Sequence, residues 1–321
     1  MAELDLRVKA LGRVLRLASI TRMDEEQIGR VQQRTVGHNP VVDLLLGGVA
    51  AGVTLTDDVA AGAAGQLAIR VYRPRGAVDD VLPLVVNVHG GGFVLGSLDQ
   101  ADWLCSNVAV TVGAVVVSID YRLAPAHPWP AAAEDCYAAL VDIAARAAQL
   151  GADARRMAVM GDSAGGNLSA VVSLMARDRS GPAIAFQALL YPATDLTLGS
   201  PSIEENADAP ILTRQDMLAY RAHYLGAQDP ADPYASPLLA PDHRGLPPAL
   251  VQVAEHDPIR DDGLRYAAAL RAAGVPVRTT TYVGMPHGYL AFPKLCRSAP
   301  QALAELCAEL SAALAAPATA P

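Results

Sequence analysis

The stretch MGDSAGG, residues 160–166, decides the fold that this sequence predicts. It contains the pattern Gly-x-Ser-x-Gly around Ser163, between an apolar run over 157–161 and a helical pattern over 164–177. On a tight turn from strand to helix the serine hydroxyl projects above the sheet, and the two glycines let strand and helix approach closely. The alternative is a glycine-rich turn with Ser163 as a helix N-cap. Because a buried-type strand leads directly into the turn, the sequence favours Ser163 as a nucleophile.

A second glycine motif, HGGGFVLGS at 89–97, directly follows the apolar run over 82–89. Consecutive glycines let bare backbone N–H groups approach a developing oxyanion. The alternatives are a flexible loop or a phosphate cradle, but a phosphate cradle would call for a lysine or the spacing GxGxxG, and neither is present. We therefore expect the backbone N–H groups of Gly91, Gly92 and Ala164 to form an oxyanion hole.

Short apolar runs alternate with helical patterns from about residue 65 onward. The predicted strands are 67–73, 82–89, 114–120, 157–161, 183–191, 249–255 and 275–283. The predicted helices are 131–148, 164–177, 213–225, 260–273 and 299–315. This alternation predicts an α/β fold with a mostly parallel central sheet flanked by helices.

Two regions interrupt the alternation. Residues 1–45 have a helical pattern, and the proline-rich stretch after residue 191 has no strand signal but contains a helical piece. An insertion of this kind after a sheet strand predicts a helical cap over the carboxyl ends of the strands. The expected division is 1–45 (N-terminal part of the cap), 46–191 (core, first part), 192–235 (inserted cap segment) and 236–321 (core, second part).

Seven histidines compete for the role of general base. In the chain order serine, acid, histidine, the base follows the last strand, and His287 lies in a loop rich in Pro and Gly after the strand pattern at 275–283. We expect His89 to brace the glycine loop through hydrogen bonds and His256 to lie beside the acid or at the surface. The remaining histidines, His38, His127, His223 and His243, have the pattern of surface loop residues.

The acid should follow the strand pattern at 249–255. Asp257 is a candidate, although Asp-Pro before a helix is also a good N-cap. Asp261 and Asp262 have the alternative role of favourable charges at a helix N-terminus. Glu255 is a weaker candidate because it lies close to the strand. The residues alone leave the choice of acid open.

The chain resembles the hormone-sensitive-lipase-like (bacterial family IV) esterases of the α/β-hydrolase superfamily. The matching stretches follow the family order: HGGGF (89–93), DYRLAPAHPWPAA (120–132), GDSAGGNL (161–168), YP (191–192), HDPIRDDG (256–263) and MPHGY (285–289). One position departs, since Ala126 stands where the family usually carries glutamate. The resemblance implies an α/β-hydrolase fold with a helical cap and selects Asp257 as the acid, so that Ser163, Asp257 and His287 form a catalytic triad.

Composition narrows the classes of function. The 321 residues carry 25 basic and 33 acidic side chains, a net charge of −8, so nucleic acid and anionic membrane surfaces would repel the protein on average. Four cysteines without CxxC spacing predict buried reduced thiols. No stretch approaches the roughly 18 apolar residues of a membrane span, and the N-terminus lacks a signal-peptide pattern. We expect a cytoplasmic enzyme with no metal or organic cofactor, no nucleic-acid partner and no integral membrane association; the sequence is compatible with a homodimer.

A cap over the site predicts a bounded apolar pocket, and hence small-molecule substrates in the form of short- to medium-chain acyl esters. We expect four residues to contact the substrate: Phe93, Asp162, Leu212 and Tyr220. Met217 and Tyr224 are further candidate wall residues, although any of those in the inserted segment could instead pack between cap helices. Two other classes of function stay open: an amidase, lactonase or peptidase on the same scaffold, and a non-catalytic small-molecule receptor.

Overall fold

The computed structural model describes residues 3–34, 37, 40–77 and 80–315. Within them, eight strands form one sheet: β1 (Val53–Gly62), β2 (Gly65–Pro74), β3 (Leu82–Val88), β4 (Val115–Ile119), β5 (Ala152–Asp162), β6 (Phe186–Leu190), β7 (Ala249–His256) and β8 (Val277–Pro286). Their order across the sheet is β1-β2-β4-β3-β5-β6-β7-β8. The pairs β1–β2 and β2–β4 are antiparallel, and the other pairs are parallel.

The central strands are buried on both faces, which explains their unbroken apolar runs. Every residue of β4 and of β6 is buried. Parallel strands covered by helices on both sides have no solvent face, so their sequences do not alternate between apolar and polar residues. The predicted fold class, a mostly parallel sheet flanked by helices, is confirmed.

Ten α-helices surround the sheet in the described residues: α1 (Leu6–Leu15), α2 (Glu25–Gln32), α3 (Pro40–Leu46), α4 (Leu98–Val112), α5 (Ala131–Ala145), α6 (Ala164–Asp178), α7 (Ser202–Glu205), α8 (Arg214–Leu225), α9 (Arg260–Ala272) and α10 (Ala299–Leu314). Helices α5, α6 and α9 share apolar clusters on one face of the sheet, and α4 and α10 pack on the other. Each face of the sheet thus has its own hydrophobic core.

The sequence did not predict strand β1. It lies at the sheet edge, pairs only with β2, and carries Asp57 and Asp58 at its centre. Asp57 lies opposite Arg70 in the register, and the Arg70 Nε donates to the Asp57 Oδ1 over 2.7 Å. A cross-strand ion pair therefore replaces the apolar alternation that would have indicated a strand.

Helix α4 was also not predicted, and its polar residues explain why. Asp102 faces inward, is almost fully buried, and accepts hydrogen bonds from Tyr72 Oη (2.6 Å) and from Arg70 (3.0 Å). A carboxylate on the buried face breaks the apolar stripe by which a helix is identified. Because β3 and β4 are parallel neighbours, the chain between them needs a crossover connection, and α4 supplies it.

The two regions without strands, the N-terminal segment and the segment between β6 and β7, contact each other. The described part of residues 3–52 contains α1 to α3, and the segment between β6 and β7 contains α7 and α8. Gly12 of α1 packs directly on Pro210, and the Arg16 Nη2 donates to the Asp208 carbonyl oxygen over 2.6 Å. Across the described ranges, no helix has both the length and the apolar character needed to cross a membrane.

Candidate active site

Ser163 stands between the end of β5 and the first residue of α6. Its backbone has φ 54° and ψ −116°, a conformation that non-glycine residues rarely adopt. The packing around it leaves no room for larger neighbours, because a Cβ on Gly165 would overlap the carbonyl oxygen of Val88. This is the tight strand-to-helix turn that the motif at 161–165 predicts.

The His287 side chain lies within hydrogen-bond distance of the Ser163 hydroxyl. It follows β8, and its Nε2 lies 2.8 Å from the Ser163 Oγ. Its Nδ1 lies 2.7 Å from the Asp257 Oδ2, just beyond β7. His287 is 7% exposed and Asp257 is fully buried. With Nδ1–H donating to the carboxylate, Nε2 is left to accept the hydroxyl proton of Ser163.

The other candidate acids point elsewhere. Glu255 accepts a hydrogen bond from the Gly284 backbone N–H. Asp261 pairs with Arg260 (2.8 Å), and Asp262 accepts from Ser200 Oγ. The N-cap of α9 is Ile259, so the alternative reading of Asp257 as that helix's N-cap is wrong.

The glycine loop lies beside the nucleophile. Gly91 has φ 123°, and a Cβ at this position would overlap the carbonyl oxygen of Leu95. Within the described chain, the backbone N–H groups of Gly91, Gly92 and Ala164 have no hydrogen-bond acceptor, and all three residues line the same cavity as Ser163. Three free donors next to one hydroxyl can bind a negatively charged oxygen.

Two residues link the glycine loop to its surroundings. The Gly90 N–H donates to the Asp162 Oδ1 over 2.8 Å, and burial raises the pKa of the Asp162 carboxyl above its ordinary value. The His89 Nδ1 lies 2.8 Å from the Gly90 carbonyl oxygen, and its ring stacks on Tyr121 with centroids 4.4 Å apart. His89 therefore braces the loop through hydrogen bonds, as the sequence predicts.

The cavity above Ser163 has a volume of about 350 Å³. Of the residues expected at the substrate, Phe93, Asp162, Leu212, Met217 and Tyr220 all line it. Tyr224 does not: it is fully buried and stacks on Phe93 with ring centroids 3.8 Å apart. Tyr224 is thus a packing residue behind the cavity wall.

Sequence reasoning missed part of the wall. The lining also includes apolar residues from the N-terminal segment, from the inserted segment, from the start of α9 and from the turn after His287: Leu15, Ile20, Leu196, Leu198, Ile211, Ile259 and Phe292. The helical pattern at 1–20 indicated a cap but could not say which residues face inward. That depends on the contact between α1 and the distant inserted segment.

The remaining histidines and the cysteines lie away from this centre. His127 is exposed and His223 is half-buried, while His38 falls outside the described residues. His243 is buried and its Nε2 lies 2.9 Å from the Pro237 carbonyl oxygen, so its predicted surface position is wrong. The four cysteines are free and buried. The described part of the chain holds no group of three or more His, Cys, Asp or Glu residues able to bind a metal ion.

Comparison with known proteins gives consistent relatives over most of the chain. A family profile described as the alpha/beta hydrolase fold matches residues 85–291. The carboxylesterase NlhH of Mycobacterium tuberculosis is 45% identical over 289 residues, which cover 89% of this chain and 83% of that protein. The esterase LipI of the same species is 46% identical over 244 residues, covering 75% of this chain and 76% of the relative.

Solved structures agree with the sequence relatives. An esterase from the archaeon Pyrobaculum calidifontis superposes with a TM-score of 0.87 at 38% identity, covering 98% of this chain and all of that one. An ester hydrolase from the metagenome of Lake Arreo, solved with a phosphonate derivative, gives a TM-score of 0.87 at 34% identity, covering 96% and 98% of the two chains. The strand order, the turn at Ser163 and these relatives lead to one conclusion: the chain belongs to the hormone-sensitive-lipase-like family of α/β-hydrolase-fold proteins.

Proposed function

We propose that the protein is a serine carboxylesterase that hydrolyses short- to medium-chain acyl esters through an acyl-enzyme on Ser163. One observation carries the proposal, the continuous hydrogen-bond path from Asp257 through His287 to Ser163, with separations of 2.7 Å and 2.8 Å. This path supports the roles of nucleophile for Ser163, base for His287 and orienting acid for Asp257.

In the proposed acylation step, the Ser163 Oγ attacks the ester carbonyl carbon while the His287 Nε2 takes the hydroxyl proton. The carbonyl oxygen becomes an oxyanion, and collapse of the tetrahedral intermediate breaks the bond to the alkoxy group, which leaves with the proton from His287. Asp257 keeps the proton on Nδ1 and stabilises the imidazolium that forms.

The N–H groups of Gly91, Gly92 and Ala164 would hold the oxyanion. Their lack of other acceptors in the described chain supports this role, since no internal hydrogen bond has to break when the charge develops. A single donor of this kind typically lowers the barrier by about 3–4 kcal/mol. In the second half of the cycle, water attacks the acyl-enzyme with His287 as base, releasing the acid and restoring Ser163.

The cavity supports the proposed class of substrate. A volume of about 350 Å³ and apolar walls from Leu15, Ile20 and Leu212 suit a short or medium acyl chain. We propose that residues 1–45 and 192–235 together form a cap over a core made of 46–191 and 236–321. The contact between Gly12 and Pro210 supports this division, as do the wall residues that both segments contribute.

We further propose a cytoplasmic location for this enzyme. Four free, buried cysteines fit a reducing compartment. Cell fractionation with detection of the esterase activity tests the location, and sedimentation of the purified protein tests for a homodimer.

The decisive experiment compares p-nitrophenyl esters of graded chain length with a p-nitroanilide of matched acyl group. We expect a maximum of kcat/KM at acyl chains of about four to eight carbons. Ser163→Ala should fold and have no turnover, and an organophosphate should inactivate the wild type by modifying Ser163. Faster anilide than ester hydrolysis would make it an amidase. A folded wild type that binds esters without turning them over would be a receptor.

A further inference from the structure

The most exposed large apolar side chains of the described protein lie together on one short segment. Leu6 is 77% exposed, Leu17 is 72% exposed and Val14 is 64% exposed, more than any other large apolar residue in the described ranges. Leu6 and Val14 belong to α1, and Leu17 to the 3₁₀ turn Arg16–Ala18 that continues it. Burial of such side chains normally stabilises a protein, so their clustering at the surface calls for a partner.

Helical geometry places these side chains on one face. At 100° per residue, Leu6, Ala10, Val14 and Leu17 fall within about 80° of arc, and we call this set the apolar stripe. Val8 and Gly12 lie on the opposite side of α1 and are buried against the protein. The helix therefore has two apolar faces, of which the inner one packs and the outer one meets solvent.

Positive charge surrounds the apolar stripe. Residues 3–22 carry five basic and two acidic side chains, in a chain whose net charge is −8. Arg7 and Arg13 flank the stripe on its two sides by the same helical geometry. Both acids of the segment are engaged, Glu3 with Lys9 and Asp5 with Arg297.

The arginines near the stripe form no close ion pair with the described residues. Among the described residues, no carboxylate lies within ion-pair distance of Arg7, Arg13, Arg16 or Arg22. By contrast, Arg70, Arg122 and Arg146 elsewhere in the protein each pair with aspartate. Residues 3–22 thus carry a net charge opposite in sign to that of the whole chain.

The segment also borders the cavity of Ser163. Leu15, Arg16 and Ala18, at the end of α1 and in the turn after it, line that cavity. Any surface on which the apolar stripe rests would therefore lie next to the cavity.

We propose that α1 docks the protein on the surface of an anionic phospholipid aggregate. The apolar stripe enters the boundary between headgroups and acyl chains, while Arg7 and Arg13 lie at the level of the phosphates, as in helices that lie in the plane of a membrane interface. The protein as a whole stays in water, since its average charge is negative. The docking brings ester substrates dissolved in the lipid to the cavity without a passage through water.

Vesicle co-sedimentation of the full-length protein tests this proposal. The probes are vesicles of phosphatidylglycerol and phosphatidylcholine in equal parts, and vesicles of phosphatidylcholine alone. We expect the wild type to bind the anionic vesicles more tightly. The triple variant L6S/V14S/L17S should bind them at least about tenfold more weakly. R7Q/R13Q should lose most of the preference for anionic vesicles, because each basic residue near an anionic surface contributes roughly fivefold in affinity.

The matched control is V59S/V110S/V141S, which replaces three other half-exposed valines on β1, α4 and α5. It should bind vesicles like the wild type. Hydrolysis of a water-soluble ester should stay within about twofold in every variant, because none of the substituted residues lines the cavity. That readout separates a failure to fold, or a wrong enzyme assignment, from a failure to dock.

Three results would overturn the proposal. The first is a wild type that does not bind the anionic vesicles, and the second is an L6S/V14S/L17S variant that binds them unchanged. The third is a wild-type dimer that L6S/V14S/L17S converts to a monomer, with no vesicle binding by either, which would make the apolar stripe an interface between two copies of this chain.

Discussion

Asp257 holds the imidazole of His287 with one oxygen while its other oxygen is fixed by the backbone. The Asp257 Oδ2 lies 2.7 Å from the His287 Nδ1, and its Oδ1 accepts the N–H of Ile259 over 2.9 Å. With both oxygens engaged and the side chain fully buried, the carboxylate has one orientation. The tautomer of His287 is thus set by a group that the fold itself locks in place.

Asp257→Asn should therefore cut kcat by orders of magnitude while costing little stability. The amide favours the wrong imidazole tautomer, and the corresponding change in a serine protease lowers kcat about 10⁴-fold. Asn can still accept the hydrogen bond from Ile259. Steady-state kinetics and melting temperature are measured together, with Asp261→Asn as the control, whose turnover should stay within a few-fold. If Asp257→Asn melts early but is catalytically normal per folded molecule, the residue is only structural.

A second prediction concerns Asp262, which the sequence treated as a charge at a helix N-terminus. The structure buries it completely, with Ser200 Oγ donating to it at 2.5 Å, and burial raises the pKa of its carboxyl well above the ordinary value. The folded state then holds a proton that the unfolded state releases near pH 4. This contribution to stability is present below the unfolded pKa and is lost as pH rises through the folded pKa.

Asp262→Asn has no proton to lose at this position. The difference between its melting temperature and that of the wild type should therefore shift in favour of the variant as pH rises from 5 to 8. Thermal melts of both proteins across that range measure the difference. Asp261→Asn again serves as control and should show no such trend. A gap that stays constant from pH 5 to 8 would mean that Asp262 is already ionised in the folded protein at pH 5.

The third prediction tests the oxyanion hole at Gly91. Gly91→Ala should lower kcat about 10²- to 10³-fold, the loss typical of one oxyanion donor, because the new Cβ would collide with the Leu95 carbonyl and displace the loop. Gly113→Ala is a matched control, since Gly113 also has a positive φ (69°) but open space around its Cβ. Equal kcat for the two variants would remove Gly91 from the proposed site.

The fourth prediction is that the cysteines do not react in the folded protein. Burial raises the pKa of the Cys296 thiol to about 12 and that of Cys307 to about 11, and it raises the pKa values of Cys105 and Cys136 well above the ordinary range. At pH 8 few thiolates exist, and thiolate is the reactive form. Iodoacetamide followed by mass spectrometry should find no alkylation until guanidinium unfolds the chain, when all four should react. Rapid inactivation of the native enzyme would contradict this.

Sequence pattern located most of the core because its signals are local. The strand before Ser163 ends in a continuous apolar run that follows from burial in a parallel sheet. The helix 98–112 and the strand 53–62 were missed because Asp102 and Asp57 have their partners on β2, which no local pattern reveals.

The residues of the candidate site also differ in how well the sequence predicts them. Ser163 and His287 could be proposed from short motifs in a fixed chain order, whereas the choice of Asp257 needed the family resemblance. The cavity wall depended on contacts between distant segments, such as α1 with Pro210, and its residues in the N-terminal segment could not be identified. The burial of Asp262 was unpredictable for the same reason, because Ser200 and Asp195 meet it only in the folded chain.

The contact between Gly12 and Pro210 has a consequence for synthesis on the ribosome. The two residues are separated by nearly two hundred positions, and translation at about 5–20 residues per second takes roughly 10–40 s to cover that distance. For most of this interval the inner apolar face of the first helix is outside the exit tunnel, while the proline against which it packs has not been made. The nascent chain thus carries an apolar helix without its packing partner, a natural binding site for chaperones that capture emerging polypeptides.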